Sequence, residues 1–468
     1  MRKTVVKFGG SNLKTAADVR RSAAVALAYK KPLIIVVSAF SGITDTLVRL
    51  VDEAVLSLDA AESALEKLRH FHTGVLTEHV KDFEIRSQAE AKITERLEDL
   101  DRILKGIHYL GAVPDFARDA ALAAGERLSA PIVTAVLSAA GLDVEERVPE
   151  SIGLLTDGRF GNASADVSSC TASIASSLAE NKSFVIPGFY GSSKEGKITI
   201  FGRGGSDYTA AFIARCIQAE SLDLWKDVDG FLSCDPRIVS SSRTIPSLTF
   251  EEAAELSYFG AKVLHPRTVE PLEGSDIIIR VMNVEKFDGS IHPYTLVVPP
   301  SQNQAGDEKQ KDASIKSVAS SEDAAIIRLE GPGVGSRPGI LARTTSRLDA
   351  AGVNISSVIT AQTCINLLFK KADLERALAV LRAESVAGVL AVEAIDDLAI
   401  IAAVGTGIRN RIGAAATVFS ALSNAGVNIV LSQAGASPVA IYALVRKEDR
   451  KKSLRAVHEA IVGNDGVH

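Results

Sequence analysis

One ten-residue stretch occurs twice in the last third of the chain. Ser346-Arg347-Leu348-Asp349-Ala350-Ala351-Gly352-Val353-Asn354-Ile355 returns as Ser420-Ala421-Leu422-Ser423-Asn424-Ala425-Gly426-Val427-Asn428-Ile429, a shift of 74 residues. Farther on, Leu367-Leu368-Phe369-Lys370-Lys371-Ala372-Asp373 returns as Ala443-Leu444-Val445-Arg446-Lys447-Glu448-Asp449 at a shift of 76, so two residues are inserted between. A repeat of this period means two copies of one small module. The first copy reads strand (324–329), helix (338–351), strand (354–361), strand (364–369), helix (373–383) and strand (389–394), a βαββαβ or ferredoxin-like order. The second copy reaches its last helix near Ile461 and lacks a closing strand. The stretch Ser314-Ile315-Lys316-Ser317-Val318-Ala319, upstream of the first copy, either fills that gap or caps an edge. If it fills the gap, the two modules must pack as one rigid unit.

Upstream, strand-like runs at 5–8, 33–37, 184–186, 198–201, 222–225 and 277–281 alternate with helical ones. That alternation implies a mainly parallel sheet with helices on both faces, a three-layer αβα sandwich in the α/β class. Between Thr44 and Gly141 the pattern is almost wholly helical, an excursion expected at the sheet edge. His70, His72 and His79 lie in it without partners at metal-ligand spacing, and are expected at the surface; no metal site is expected. Polar and prolyl residues collect over 299–312. The expected division is therefore a first domain over 1–300, a linker over 301–313, and the two modules over 320–395 and 396–468, the second completed by 314–319.

A length of 468 residues suggests two to four domains, and the formal net charge of −5 argues against a nucleic-acid or anionic-membrane partner. Cys170, Cys216, Cys234 and Cys364 stand far apart, so each is expected to be a small core residue. The apolar stretch at the N-terminus is too short for a signal peptide, and no window approaches the roughly 18 apolar residues of a membrane span. A soluble, cytoplasmic protein is expected.

Two glycine turns carry the chemistry. Lys7-Phe8-Gly9-Gly10-Ser11 follows the apolar run Thr4-Val5-Val6, and Gly202-Arg203-Gly204-Gly205-Ser206-Asp207 follows Lys197-Ile198-Thr199-Ile200-Phe201 and opens a helix with Ser206 as expected N-cap. Adjacent glycines let backbone N–H groups converge on an anion without a Cβ in the way, and a helix N-terminus favours negative charge. Either turn alone is an ordinary tight turn. Together, with a lysine in one and an aspartate in the other, they read as one phosphate site.

Four blocks then resemble a known family: Lys7 to Ser11; Gly202 to Asp207 continuing into Tyr208-Thr209-Ala210-Ala211; Trp225-Lys226-Asp227-Val228-Asp229-Gly230 with Asp235-Pro236-Arg237; and Phe259-Gly260-Ala261-Lys262-Val263-Leu264-His265-Pro266. In that order, followed by two ACT-like copies, they resemble an aspartate kinase of the monofunctional kind, a member of the amino acid kinase superfamily with tandem ACT regulatory domains. The resemblance implies ATP-dependent phosphorylation of the β-carboxylate of L-aspartate, with magnesium, as the first step of lysine, threonine and methionine synthesis.

It also assigns roles. Lys7, Gly9, Gly10, Ser11 and Asp207 are the implied catalytic set, with Asp207 orienting the lysine. Arg203 is implied on the substrate α-carboxylate and Glu126 on its α-ammonium, with Ser38, Thr44, Phe189 and Ser206 lining the pocket. Lys7, Gly10, Lys226, Asp227, Arg237 and Lys262 are the implied nucleotide contacts. Several positions depart from the family pattern. Lys226 stands where many relatives carry threonine, so it either adds a phosphate contact or points to solvent. Leu232 stands where some have tyrosine, and Ser11-Asn12 replaces the commoner Thr-Ser. The ACT copies imply an amino-acid effector, threonine or lysine, near Asp349, Asn354, Gln362, Thr363 and Asn366, with Ser432 and Gln433 comparable in the second copy, and a homodimer or homotetramer. Two other readings stand beside this one: an amino-acid sensor with a decayed kinase domain, and a kinase of the same sandwich class acting on glutamate or N-acetylglutamate.

Overall fold

A computed structural model of the chain describes residues 2–261, 263–299, 315–383, 386 and 388–462. Residues up to Phe231, with Thr244–Ser257 and 263–299, gather into one compact unit; Leu232–Arg243, Tyr258–Ala261 and the described residues from 315 onward gather into a second. The expected linker over 301–313 lies outside the described residues.

The first unit is built on β1 (Thr4–Phe8), β2 (Leu33–Val37), β3 (Val144–Glu146), β4 (Ser183–Pro187), β5 (Tyr190–Ser192), β6 (Ile198–Ile200), β7 (Ser221–Lys226), β8 (Ser247–Thr249), β9 (Ile278–Asn283) and β10 (Thr295–Val298). Eight of these form one sheet in the order β3-β4-β2-β1-β7-β9-β10-β8. All neighbours are parallel except β9 and β10. Both faces are covered, which is why the strands read as continuous apolar runs. Val6, Phe8, Leu33, Ile35, Val37 and Val185 share a core with the helix Asp115–Ala139. The alternate residues Val5, Ile34, Val36, Phe184 and Ile186 are equally buried on the opposite face.

Chain order moves outward from β1 through β2 to β4 on one side and resumes on the other with β7 and β9. The reversal between β1 and β7 is a topological switch point, where loops at the C-terminal strand ends part and leave a crevice.

Three expectations are corrected. The strand at 198–201 does not join the main sheet; β6 pairs antiparallel with β5 in a separate two-stranded ribbon. The helical stretch is four helices, Ile43–Leu56, Leu58–His79, Phe83–Leu110 and Asp115–Ala139. Its last member is a core helix rather than an edge excursion, for its apolar residues face all round. By length and composition it passes for a membrane span, yet 83% of its most apolar window is buried in the fold. His72 is fully buried rather than superficial. Its Nδ1 lies 2.7 Å from the Leu68 carbonyl, and its ring stands edge-on to Phe40 and Phe71.

The second unit holds β11 (Ser317–Ser321), β12 (Ala325–Glu330), β13 (Ser357–Thr360), β14 (Cys364–Phe369), β15 (Ala391–Ile395), β16 (Leu398–Val404), β17 (Leu431–Ala434) and β18 (Ala440–Arg446). They form two four-stranded sheets, β13-β14-β12-β15 and β11-β16-β18-β17. β11 pairs antiparallel with β16 from Ser317↔Val404 to Ser321↔Ile400, so a strand preceding the first copy lies in the sheet of the second. Within this unit Gln433 Oε1 accepts hydrogen bonds from Ser357 Oγ (3.0 Å) and from the Tyr442 hydroxyl. The segment Leu232–Arg243 is also built into it: Ser233 Oγ lies 3.0 Å from His458 Nε2, and Cys234 and Ile238 join the apolar core of the second copy.

Candidate active site

The crevice is lined by strand-end turns. After β1 the chain makes a short 3₁₀ turn, Gly10–Asn12. Asn12, a departure from the family pattern, is fully buried there and its Oδ1 accepts the Gly9 N–H at 2.8 Å. It closes the turn, and it also engages one of the donors expected to face an anion. A Cβ on Gly9 would come within 3.3 Å of Lys7 Nζ, so the glycine keeps open the space above which that ammonium sits.

Lys7 lies on the face of β1 that carries Val5, and on that face it meets the helix Gly205–Cys216. Its Nζ is 2.6 Å from Asp207 Oδ1, with both side chains less than a tenth exposed. The two glycine turns, two hundred residues apart in sequence, thus close on each other. Lys226, at the end of β7, donates from Nζ to Asp207 Oδ2 at 2.7 Å. Asp207 is therefore held between two ammonium groups, and they keep it ionised well below the usual carboxylate range although burial opposes this. Burial lowers the proton affinity of Lys7, against the pull of Asp207.

The helix Gly205–Cys216 begins two residues earlier than expected. Its N-cap is Gly204 in the left-handed region (φ 73°), not Ser206, and a side chain at 204 would collide with the His265 ring. Ser206 lies inside the first turn and donates from Oγ to Glu126 Oε1 at 3.2 Å.

Glu126 is the feature composition hides most completely. It is buried on the core helix, where Gly125 lets that helix approach Ala39 so closely that a Cβ would stand 2.8 Å from the alanine methyl. Burial pushes its carboxyl up to about 7, against hydrogen bonds from the Ala39 backbone and Ser206 and the charge of Lys7. Its Oε2 is buried without a hydrogen-bond partner among the described residues. A buried, unpartnered carboxylate oxygen of this kind is a receptor for a cation or a donor.

Ser38 follows β2, its N–H donating to the Phe8 carbonyl and its carbonyl accepting from Ser129 Oγ. Thr44 stands in the first turn of Ile43–Leu56 and is part-buried. Phe189 occupies the left-handed region (φ 77°), a conformation costing a non-glycine residue ~1–3 kcal/mol and often kept at ligand sites. Its N–H donates to Thr209 Oγ1 and its carbonyl accepts from the Phe201 N–H, which fixes it against the helix. Arg203 is exposed in the turn before Gly204 and has no ion-pair partner among the described residues. Asp227 is exposed and 3.5 Å from Lys14. Arg237 lies in the second unit, paired with Asp235 at 2.8 Å. Lys262 lies outside the described residues.

Of the implied effector residues, Asn366 is buried, its Oδ1 accepting from Arg328 Nε at 3.0 Å, while Gln362 and Thr363 are exposed in the turn between β13 and β14. Asp349 and Asn354 are exposed at the end of, and just after, the helix Ile340–Ala350.

Two supporting residues escaped the sequence reading. Asp119, two helical turns before Glu126, accepts the Gly161 and Ile200 N–H groups and ties β6 to the core helix. Arg267 binds the Phe201 and Ala163 carbonyls and lies over the Tyr208 ring, bracing the turn that carries Arg203. Neither leaves a signal in sequence, since each works through backbone partners far away in the chain. Among the described residues no group of three or more His, Cys, Asp or Glu side chains is placed to hold a metal.

Known proteins resemble this chain in sequence and in fold. The amino acid kinase family model matches residues 2–283, and ACT domain models match 319–383 and 401–461. The bifunctional aspartokinase/homoserine dehydrogenase of Haemophilus influenzae is 30% identical over 99% of the chain, which spans 57% of that relative's length. Among solved structures, Escherichia coli aspartokinase III in complex with aspartate and ADP (R-state) is 26% identical with a TM-score of 0.79, over 98% of this chain and all of that one. The same enzyme in complex with lysine and aspartate (T-state) gives 0.77 at the same identity, over 98% and 99%.

Proposed function

The chain belongs to the amino acid kinase family, and from that premise we propose that it is an aspartate kinase, transferring the γ-phosphoryl group of ATP to the β-carboxylate of L-aspartate under control of an amino-acid effector. One observation carries the reading. The closed Lys7–Asp207 pair lies beside a buried carboxylate, Glu126, that has one oxygen engaged by Ser206 and the other without a partner. The first suits a phosphoryl group, the second the ammonium of an amino acid.

The reaction requires little acid–base chemistry. A β-carboxylate is already ionised at neutral pH. One of its oxygens forms a bond to the γ-phosphorus while the bond to the β,γ-bridging oxygen breaks, and ADP leaves with that electron pair. The protein's task is to hold two anions in line and to spread the charge on the moving group. Lys7, the Gly10–Asn12 turn and the first turn of Gly205–Cys216 are suited to the phosphates. Arg203, exposed and without an ion-pair partner among the described residues, suits the substrate α-carboxylate as a two-point fork. Magnesium would arrive with the nucleotide, neutralising phosphate charge, rather than in a carboxylate cage of the protein.

Incubation with ATP, magnesium and hydroxylamine tests the reading, because an acyl phosphate is trapped as a hydroxamate. L-aspartate is expected to give ADP and hydroxamate together, and L-glutamate and N-acetyl-L-glutamate neither. Preference for either of the latter, or ADP release indifferent to aspartate, would sink it. The two ACT modules support end-product control. Lysine or threonine is expected to raise the melting temperature and to inhibit, by binding an inactive arrangement more tightly than an active one.

A further inference from the structure

Lys226 does something neither expected alternative describes. It neither stands free to meet a phosphate nor points to solvent; its ammonium lies on Asp207. The register explains how. Lys7 pairs with Leu224 across the β1–β7 ladder, and Lys226 is two residues beyond Leu224, so its side chain rises from the same sheet face one step nearer the crevice. Asp207 reaches between the two from the helix. Each lysine takes a different carboxylate oxygen, at 2.6 and 2.7 Å, and the three side chains are at most 15% exposed.

A second buried ammonium is not needed to neutralise one carboxylate. It adds desolvation cost and repels the first lysine, so on stability grounds alone the trio is worse than a pair. What the trio provides is geometry. A carboxylate bound by one lysine can turn and offer either oxygen; bound on both sides it is fixed, and Lys7 is held close to the glycine turn. We propose that Lys226 is a positioning residue for phosphoryl transfer, pinning Asp207 so that its other oxygen holds the Lys7 ammonium over the Gly9-Gly10 turn. This rests on the kinase reading above.

Among the described residues, the charged groups facing Lys7 are Asp207 and Glu126, which favour its protonated form, and Lys226, which opposes it. Lys226→Met is therefore expected to lower kcat by about 100-fold, the cost of a misplaced catalytic group, with little change in the KM for aspartate. Removal of the neighbouring charge should move the alkaline limb of the kcat profile to higher pH. Lys226→Arg should recover most of the rate and the original limb, and it guards against a Met variant that fails to fold. An NMR titration of the ¹⁵N-labelled Lys7 ammonium in wild type and Lys226→Met reads the same contact without turnover, and its midpoint should rise in the variant. A Met variant with normal kcat, or a reduced kcat with neither the limb nor the Lys7 midpoint displaced, would overturn the proposal. Wild-type protein inactive with aspartate would instead overturn the kinase reading, and the Lys7 titration would still judge Lys226.

Discussion

Glu126 shows how a single residue's environment sets both a function and a cost. A carboxyl whose proton affinity is raised on folding stabilises the protein fully below its ordinary value of 4.5, and that stability is lost as pH rises through about 7. At pH 8 the ionised, half-partnered carboxylate destabilises the protein by about 3 kcal/mol. Glu126→Gln should therefore raise the melting temperature at pH 8, flatten its dependence on pH between 5 and 8, and abolish aspartate use. In the wild type, kcat/KM for aspartate should fall as pH drops through about 7, where the free enzyme loses the charge proposed to receive the substrate ammonium. A variant no more stable than wild type at pH 8 would mean that Glu126 is better solvated than its burial implies. Nothing local in Ala124-Gly125-Glu126-Arg127 signals this; the residue reads as a surface carboxylate, and only the family resemblance singles it out. The contact of Lys226 with Asp207 escaped for a different reason. Its partner is chosen by strand register, which is fixed by the whole sheet.

At the scale of elements, legibility followed length and periodicity. The runs at β1, β2, β7 and β9 are five or six residues long and carry at least three apolar residues each, and their positions were readable. The strands Val144–Glu146, Tyr190–Ser192 and Ser247–Thr249 have three residues each, too few to establish a period, and were not. The first βαββαβ copy was readable throughout because two related sequences report on one pattern. β11 carries a prediction of its own. Val318 is fully buried in the core of the second copy although it precedes the first. Val318→Ala should destabilise that module by about 2 kcal/mol, measured by denaturant unfolding, whereas the part-exposed Ser321→Ala at the end of the same strand should change it little. Equal effects would mean that β11 adds backbone pairing but no core.

In the whole molecule, two glycine turns two hundred residues apart close on each other at the switch point between β1 and β7, where a single phosphate site is proposed. The sequence suggested this from two glycine turns that were each unremarkable alone, and the fold brings them into contact because β1 lies at the centre of the sheet with β7 beside it. The most direct test is a double-mutant cycle on turnover with Lys7→Ala and Asp207→Ala. Each single variant is expected to lower kcat by about 10²–10³-fold, and the double variant should be no slower than the worse single one, as for residues that act as a unit. Losses that multiply in the double variant, or an Asp207→Ala enzyme at normal speed, would contradict the account.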